Sequence, residues 1–236
     1  MKTTIILSAI AMGALLHSCQ PSAGTATDAV TGTKNDSNTI VCPPGSSKLD
    51  VAAIERVTGM KGVEKNGEYK ITVPQNDLHV VVDGFKIIPP MGLGSWACFT
   101  PCRDSAMVMG DIILTETDLA PVQQEVIRQG FAITAIHNHF VRNHPNVVYM
   151  HIDGKGPAER LAGSVKAIFG KVKEVRGHDP KEGKADSVIN TLPIARLDSL
   201  LGHKGEMSKG VYKYTIGRPD VPLQEHGIPV SSFAGF

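Results

Sequence analysis

The stretch "FAITAIHNHFVRNHPNVVYMHIDG", residues 131–154, decides the fold. Both of its ends alternate apolar and polar side chains in the manner of strands. About seven residues separate His139 from Val147, too few for the crossover a parallel pair needs, so the two strands form an antiparallel hairpin. Side chains alternate along a strand, which puts His137 and His139 on one face and Ile136 and Phe140 on the other. On the returning strand His151 shares its face with Tyr149, opposite Val148, Met150 and Ile152. A hairpin centred near His144 sets His137 directly across from His151, with Cβ atoms about 5 Å apart. Three imidazoles then converge on one patch, and His144 is left as an exposed turn residue before Pro145.

Working outward, "TETDLAPVQQEVIRQG" (115–130) reads as a helix. Thr115 and Asp118 have capping-box spacing, and Leu119, Val122, Val126 and Ile127 form an apolar stripe. Before it, "SWACF" and "AMVMGDIIL" read as paired strands, as do "EYKITV", "LHVVV" and "FKII", with Asp83-Gly84 as a tight turn between the last two. "LDVAAIERVTG" (49–59) opens this run as a helix stopped at Gly59, and "PAERLAGSVKAIFGKV" (157–172) closes it as a helix with Pro157 in its first turn. The order is helix, antiparallel strands, helix, two strands, helix. That is an α+β unit, a mostly antiparallel sheet with helices on one face.

The unit partly recurs. "GMKGVEKNGEYKITVP" (59–74) lies over "GHKGEMSKGVYKYTIG" (202–217) at a constant offset, with Gly59, Gly62, Gly67, Tyr69, Lys70 and Thr72 meeting Gly202, Gly205, Gly210, Tyr212, Lys213 and Thr215. Such self-similarity predicts a complete unit over 48–175, a linker over 176–196 and an incomplete second copy over 197–236. A unit of strands without its helices exposes an apolar face and an open edge, which favours a protein partner or self-association through 197–236.

At the front, Lys2, the apolar run "TIILSAIAMGALL" and "LHSC" (16–19) make residues 1–18 a signal peptide, since the run is shorter than the roughly 20 residues a membrane span needs. A small residue before Cys19, with leucine three positions before it, is similar to the lipobox of bacterial lipoproteins. That resemblance implies lipidation of Cys19, membrane attachment by acyl chains and, with Gln20 following, the outer membrane of the cell envelope. Residues 19–47 are rich in Ser, Thr, Gly, Pro, Asn and Asp without apolar periodicity, and read as a flexible tether. The chain carries 24 basic and 23 acidic residues with no basic run, and aromatics make up only 5%. Nucleic acid is therefore excluded as a partner class. With Cys19 lipidated, three cysteines remain. Cys98 and Cys102 can close a disulfide at a hairpin tip, or Cys42 can reach back to one of them.

Three neutral imidazoles with an open fourth position suit zinc, and with a carboxylate they also suit iron or manganese. His137, His139 and His151 are the candidate ligands, with Asp111 and Glu116, and also Asp153, as supporting carboxylates. The competing reading is a hydrated sheet face lined by histidines. The tripeptide "HNH" carries no nuclease meaning, because those nucleases are named for dispersed residues. "GFAITAIHNH" departs from the first cupin motif in its glycine spacing and lacks the glutamate.

"GLGSWACF", "AMVMGDIILTETDLAPV", "GFAITAIHNHF" and "VVYMHIDGKG" together resemble the signature blocks of the LppY/LpqO family of bacterial lipoproteins, a tandemly repeated domain of unknown function. The family pattern of H-N-H followed by M-H-I maps onto His137, His139, Met150 and His151. The resemblance implies an envelope lipoprotein and supplies no reaction. Two function classes follow: a metal-dependent hydrolase or metal-binding protein, and a non-enzymatic binding or assembly lipoprotein.

Overall fold

A computed structural model describes residue 42 and residues 47–218 and 220–235. The signal peptide, the lipobox with Cys19 and nearly all of the tether lie outside the described residues. Helix α1 (Val51–Thr58) leads into β1 (Gly62–Lys65) and β2 (Glu68–Pro74), then a small hairpin of β3 (Val81–Val82) and β4 (Phe85–Lys86). A 3-10 turn at Pro89–Met91 precedes β5 (Gly94–Cys102) and β6 (Ser105–Thr115). Helix α2 (Glu116–Arg128), β7 (Ala132–His137), β8 (Asn143–His144), β9 (Val147–Gly156) and α3 (Ala158–Arg176) complete the run.

The six long strands form one antiparallel sheet in the order β1-β2-β5-β6-β9-β7. The fold is α+β, as the order of elements predicts. Period-2 alternation explains how the sheet is covered. Along β6, Ala106, Val108, Ile112 and Leu114 join Tyr69, Ile71, Phe99, Met150 and Ile152 in the core beneath the three helices. Ile54, Val122, Val126, Leu161, Val165 and Phe169 are the helical side of that core. Of the apolar stripe expected on α2, Val122 and Val126 are buried, whereas Ile127 is 61% exposed because the sheet and α3 cover a narrower arc.

The opposite sheet face is covered only at its ends. Leu78, Val80, Leu93, Ile113, Val147 and Tyr149 cluster at one end, and Cys42, Cys102, Met107 and Ile228 at the other. Between these covers runs a row of directly opposed residues, Thr72, Trp96, Asp111 and His151, one from each of four neighbouring strands. The site stands on this row.

Two expectations need correction. Cys42, not Cys98, is bonded to Cys102, with Cα atoms 5.6 Å apart, and Cys98 is a free, buried thiol. Cys98 and Cys102 lie four residues apart on the same extended strand, about 13 Å at 3.3 Å per residue, which is beyond disulfide reach. Cys42 is therefore fastened to the domain, and its N–H also donates to Gly227 O at 3.1 Å. Second, β7 pairs with β9 so that His137 opposes Tyr149 rather than His151, with an irregularity between Ile133 and Ala135. Residues 143–144, expected at the hairpin centre, form β8 and pair with Val81 and Val82 of β3 instead. His144 is exposed, as expected.

Beyond α3 come α4 (Ile194–Leu201), β10 (Glu206–Ser208) paired with β11 (Val211–Lys213), and β12 (Gln224–Glu225) paired with β13 (Ile228–Pro229). Tyr212 Oη accepts from Gly205 N and donates to Asp198. Tyr69 Oη likewise accepts from Gly62 N and donates to Glu55.

Candidate metal centre

The shifted register does not separate the histidines. His137 ends β7, His151 lies on β9, and His139 sits just past the strand where the chain turns away. The Nε2 atoms of His137 and His151 are 2.9 Å apart, and one potential ligand nitrogen from each of the three rings lies within 4.8 Å of the others. Tyr149 fixes the third ring: its own ring stacks on His139 with centroids 3.5 Å apart, and its hydroxyl donates to Gly92 O at 3.0 Å. Tyr149 is itself fully buried, so the platform under His139 is rigid.

Asp111 lies across from His151, with Oδ1 3.7 Å from His151 Nε2. This oxygen is buried and has no hydrogen-bond partner among the described residues. Burial pushes the Asp111 carboxyl up to about 7, against the pull of His137 and Lys70. His139 and His151 are both held below the ordinary histidine value, first by burial and then by the neighbouring His137. Both rings therefore stay neutral at pH 7, the form that ligates metal.

The arrangement passes a chemical test for a cation. A 2.9 Å separation between two imidazole nitrogens is close to the about 3.3 Å that neighbouring ligands adopt around tetrahedral zinc with Zn–N near 2.0–2.1 Å. The unpartnered Asp111 oxygen supplies negative charge beside the histidines. His137, His139 and His151 form a group that can hold a metal ion.

Glu116 does not join them. It sits five residues past Asp111, in the first turn of α2, is exposed, and accepts from Asn146 Nδ2 at 3.2 Å. Strand β6 runs to Thr115, so it carries Glu116 well beyond the row of Asp111, and its role is favourable charge at a helix N-terminus. Asp153 belongs to a different group, with Glu225 and His226, and His226 Nε2 lies 2.5 Å from Asp153 Oδ2.

Residues 52–171, just over half of the chain, match the family described as Domain of Unknown Function (DUF1259). The chain belongs to this family. No curated protein and no solved structure matches it. The matched span runs from α1 into α3 and contains all three histidines, Asp111, Tyr149 and Trp96. Cys42, Arg176, Lys213 and His226 lie outside it.

His139 lines a cleft of about 590 Å³ together with Lys70, Trp96, Asp111, Tyr212 and Lys213 among others. Sequence reasoning noted Tyr149 on the face of His151 and Lys70 in the repeat, but assigned neither of them, nor Trp96, to the site. The signal was present in the alternation of β2, β5 and β9, which places all three on the same sheet face as Asp111 and His151.

Proposed function

We propose that this chain is a metal-dependent hydrolase of the bacterial cell envelope, with zinc held by His137, His139 and His151. The convergence of three imidazoles at the edge of a cleft, with a buried carboxylate beside them, carries the reading. Zinc held there would act as a Lewis acid on a carbonyl or phosphoryl oxygen of the substrate. Iron or manganese also suits three imidazoles with a carboxylate, and zinc is favoured because it needs no more than these donors. Within the chain, Asp111, which lines the cleft beside His151, would accept a proton from the attacking water, a reading supported by the lack of any other hydrogen bond to its Oδ1 among the described residues. Tyr149 orients His139. Hydrolysis of p-nitrophenyl acetate should be abolished by EDTA, restored by zinc, and lowered about 100–10,000-fold by Asp111→Asn, the usual cost of losing a general base. Equal rates with and without EDTA would contradict the reading.

The envelope placement is supported by the leader, the lipobox and the resemblance to LppY/LpqO lipoproteins. A disulfide between Cys42 and Cys102 fits an oxidising compartment. Among the described residues no helix is long and apolar enough to cross a membrane, so attachment would rest on Cys19. The wild-type chain is expected in the membrane fraction and the Cys19→Ala chain in the soluble periplasmic fraction. Equal partitioning of the two would remove the lipid anchor.

A second reading, assembly with another copy of the chain, has one observation in its favour. We read residues 197–236 as a partial second repeat whose first helix begins at Ile194, supported by the recurring Tyr-Gly-carboxylate bonds and by elements spaced 143 residues after their counterparts. In the first unit α1 buries Ala53 and Ile54 against the core. The corresponding α4 has no buried residue, and Leu200 and Leu201 are 73% and 50% exposed. Light scattering is expected to show a dimer that Leu200→Glu/Leu201→Glu converts to monomer. A monomeric wild type would reject this reading.

A further inference from the structure

The cleft beside the histidines has a second end, and its chemistry differs. Its floor is the middle of the polar row, where Trp96 stands between Thr72 and Asp111, each directly opposed on a neighbouring strand. Its walls are the Pro89–Gly92 turn on one side and β11, with Tyr212 and Lys213, on the other. At about 590 Å³ it falls within the about 300–1,000 Å³ typical of small-molecule sites.

Lys70 lies on β2 between Tyr69 and Ile71, both of which point into the core, so its side chain is directed to the cleft face. Its ammonium rests 3.9 Å from the centroid of the Trp96 ring and is half-buried. Lys213 lines the same cleft and is near enough to disfavour charge on Lys70, which burial disfavours most. Among the described residues neither lysine makes an ion pair or a side-chain hydrogen bond with a carboxylate. Lys70, over the Trp96 ring, and Lys213 are thus two cations lining one cleft; Asp111, which also lines it and favours the charge on Lys70, makes an ion pair with neither among the described residues. Such a pair costs stability unless an anion joins it.

We propose that this end of the cleft binds the acid group of a small anionic ligand, a carboxylate or a phosphate ester, between Lys70 and Lys213, with the body of the ligand beside Trp96. The remainder of the ligand then extends toward Asp111, which opposes Trp96 one strand spacing away, about 5 Å, and on toward His139, which lines the same cleft. The inference deepens the hydrolase reading and rests on it only for which end of the ligand reacts. The binding itself needs no metal.

Trp96 is the only tryptophan in the chain, so its fluorescence reports the cleft directly. The full-length protein, treated with EDTA and separately loaded with zinc, is titrated with benzoate, phenyl phosphate and, as an uncharged control, benzamide. At least one of the two acids should shift Trp96 emission saturably in both preparations and bind about tenfold or more tightly than benzamide. Which acid does so identifies the anion. Lys70→Gln and Lys213→Gln should each weaken that acid by about tenfold or more, and Lys70→Arg should retain it. Lysine-dependent binding by EDTA-treated protein that retains no metal would uphold the anion site while removing the metal reading. Benzamide binding as tightly as both acids, or acid binding unchanged in both glutamine variants, would overturn the anion site whatever metal is bound.

Discussion

Replacing Arg176 with methionine is expected to destabilise the protein by about 3–5 kcal/mol, a large part of the 5–15 kcal/mol typical of a folded domain. Arg176 is the last residue of α3, and its side chain is only 6% exposed. All five of its N–H donors are occupied. Nε and Nη2 donate to Asp118 Oδ2 at 2.9 and 2.7 Å, and Nη2 also donates to Ile113 O at 3.0 Å. Nη1 donates to Gln75 Oε1 at 2.7 Å and Asp77 Oδ2 at 3.0 Å. Asp118 is fully buried, and its Oδ2 also accepts from Thr115 N, the cap of α2. The one guanidinium therefore ties α3, the start of α2, the end of β6 and the loop after β2. Without it Asp118 becomes an uncompensated buried charge, and a lysine cannot reproduce the planar fork. Urea denaturation measures the effect. Arg176→Met/Asp118→Asn should lose less than the sum of the two single changes, because the pair is removed together. A loss below 1 kcal/mol in the single variant would show that the network does not hold these elements.

The second large effect concerns metal affinity and its pH dependence. Removing two of three ligands in His137→Ala/His139→Ala should weaken zinc by more than a thousandfold, beyond the about 10–100-fold lost with a supporting residue. Zinc competes with protons for the imidazoles, so affinity rises with pH until the rings are neutral. Burial holds His139 and His151 below the ordinary value, near 6.5, so their competition is largely over at pH 7. Asp111, pushed up to about 7, still ionises between pH 6 and 8, and its negative charge adds to affinity over that window. Isothermal titration should therefore show strong binding at pH 8, somewhat weaker binding at pH 7, and loss of zinc by pH 5. The same folded-state shifts act on the metal-free protein in opposite senses. The depressed histidines contribute stability above about 6.5 that is lost as pH falls through their folded values. The raised Asp111 imposes a cost that is greatest above pH 7 and disappears as pH falls toward 3.8.

Much of this was legible because it depends on short-range pattern. Alternation on β6 and β9, the Asp83-Gly84 turn and the Thr115–Asp118 cap each express a local rule. They suffice to give an α+β sheet covered by helices on one face and to bring His137, His139, His151 and Asp111 together. Register was less legible. His137 opposes Tyr149 because residues 143–144 pair with β3, a partner about 60 residues earlier that hairpin reasoning does not consider. Which of the open cysteine pairings forms was not legible for a similar reason, since Cys42 and Cys102 are 60 residues apart in sequence. Arg176, placed by sequence in a linker, finds Gln75 and Asp77 about 100 positions away, and no local pattern marks it. His226 meets Asp153 from a hairpin 73 residues further on, so a second acidic and histidine group formed where none was expected.

The central claim is that the imidazole triad holds a metal ion, and elemental analysis of the purified protein tests it most directly. Wild-type protein equilibrated with zinc at pH 7.5 and then desalted should retain about one equivalent per chain, and His137→Ala/His139→Ala with a native circular dichroism spectrum should retain almost none. Wild-type protein that keeps no zinc, or a variant that keeps as much as the wild type, would contradict the account.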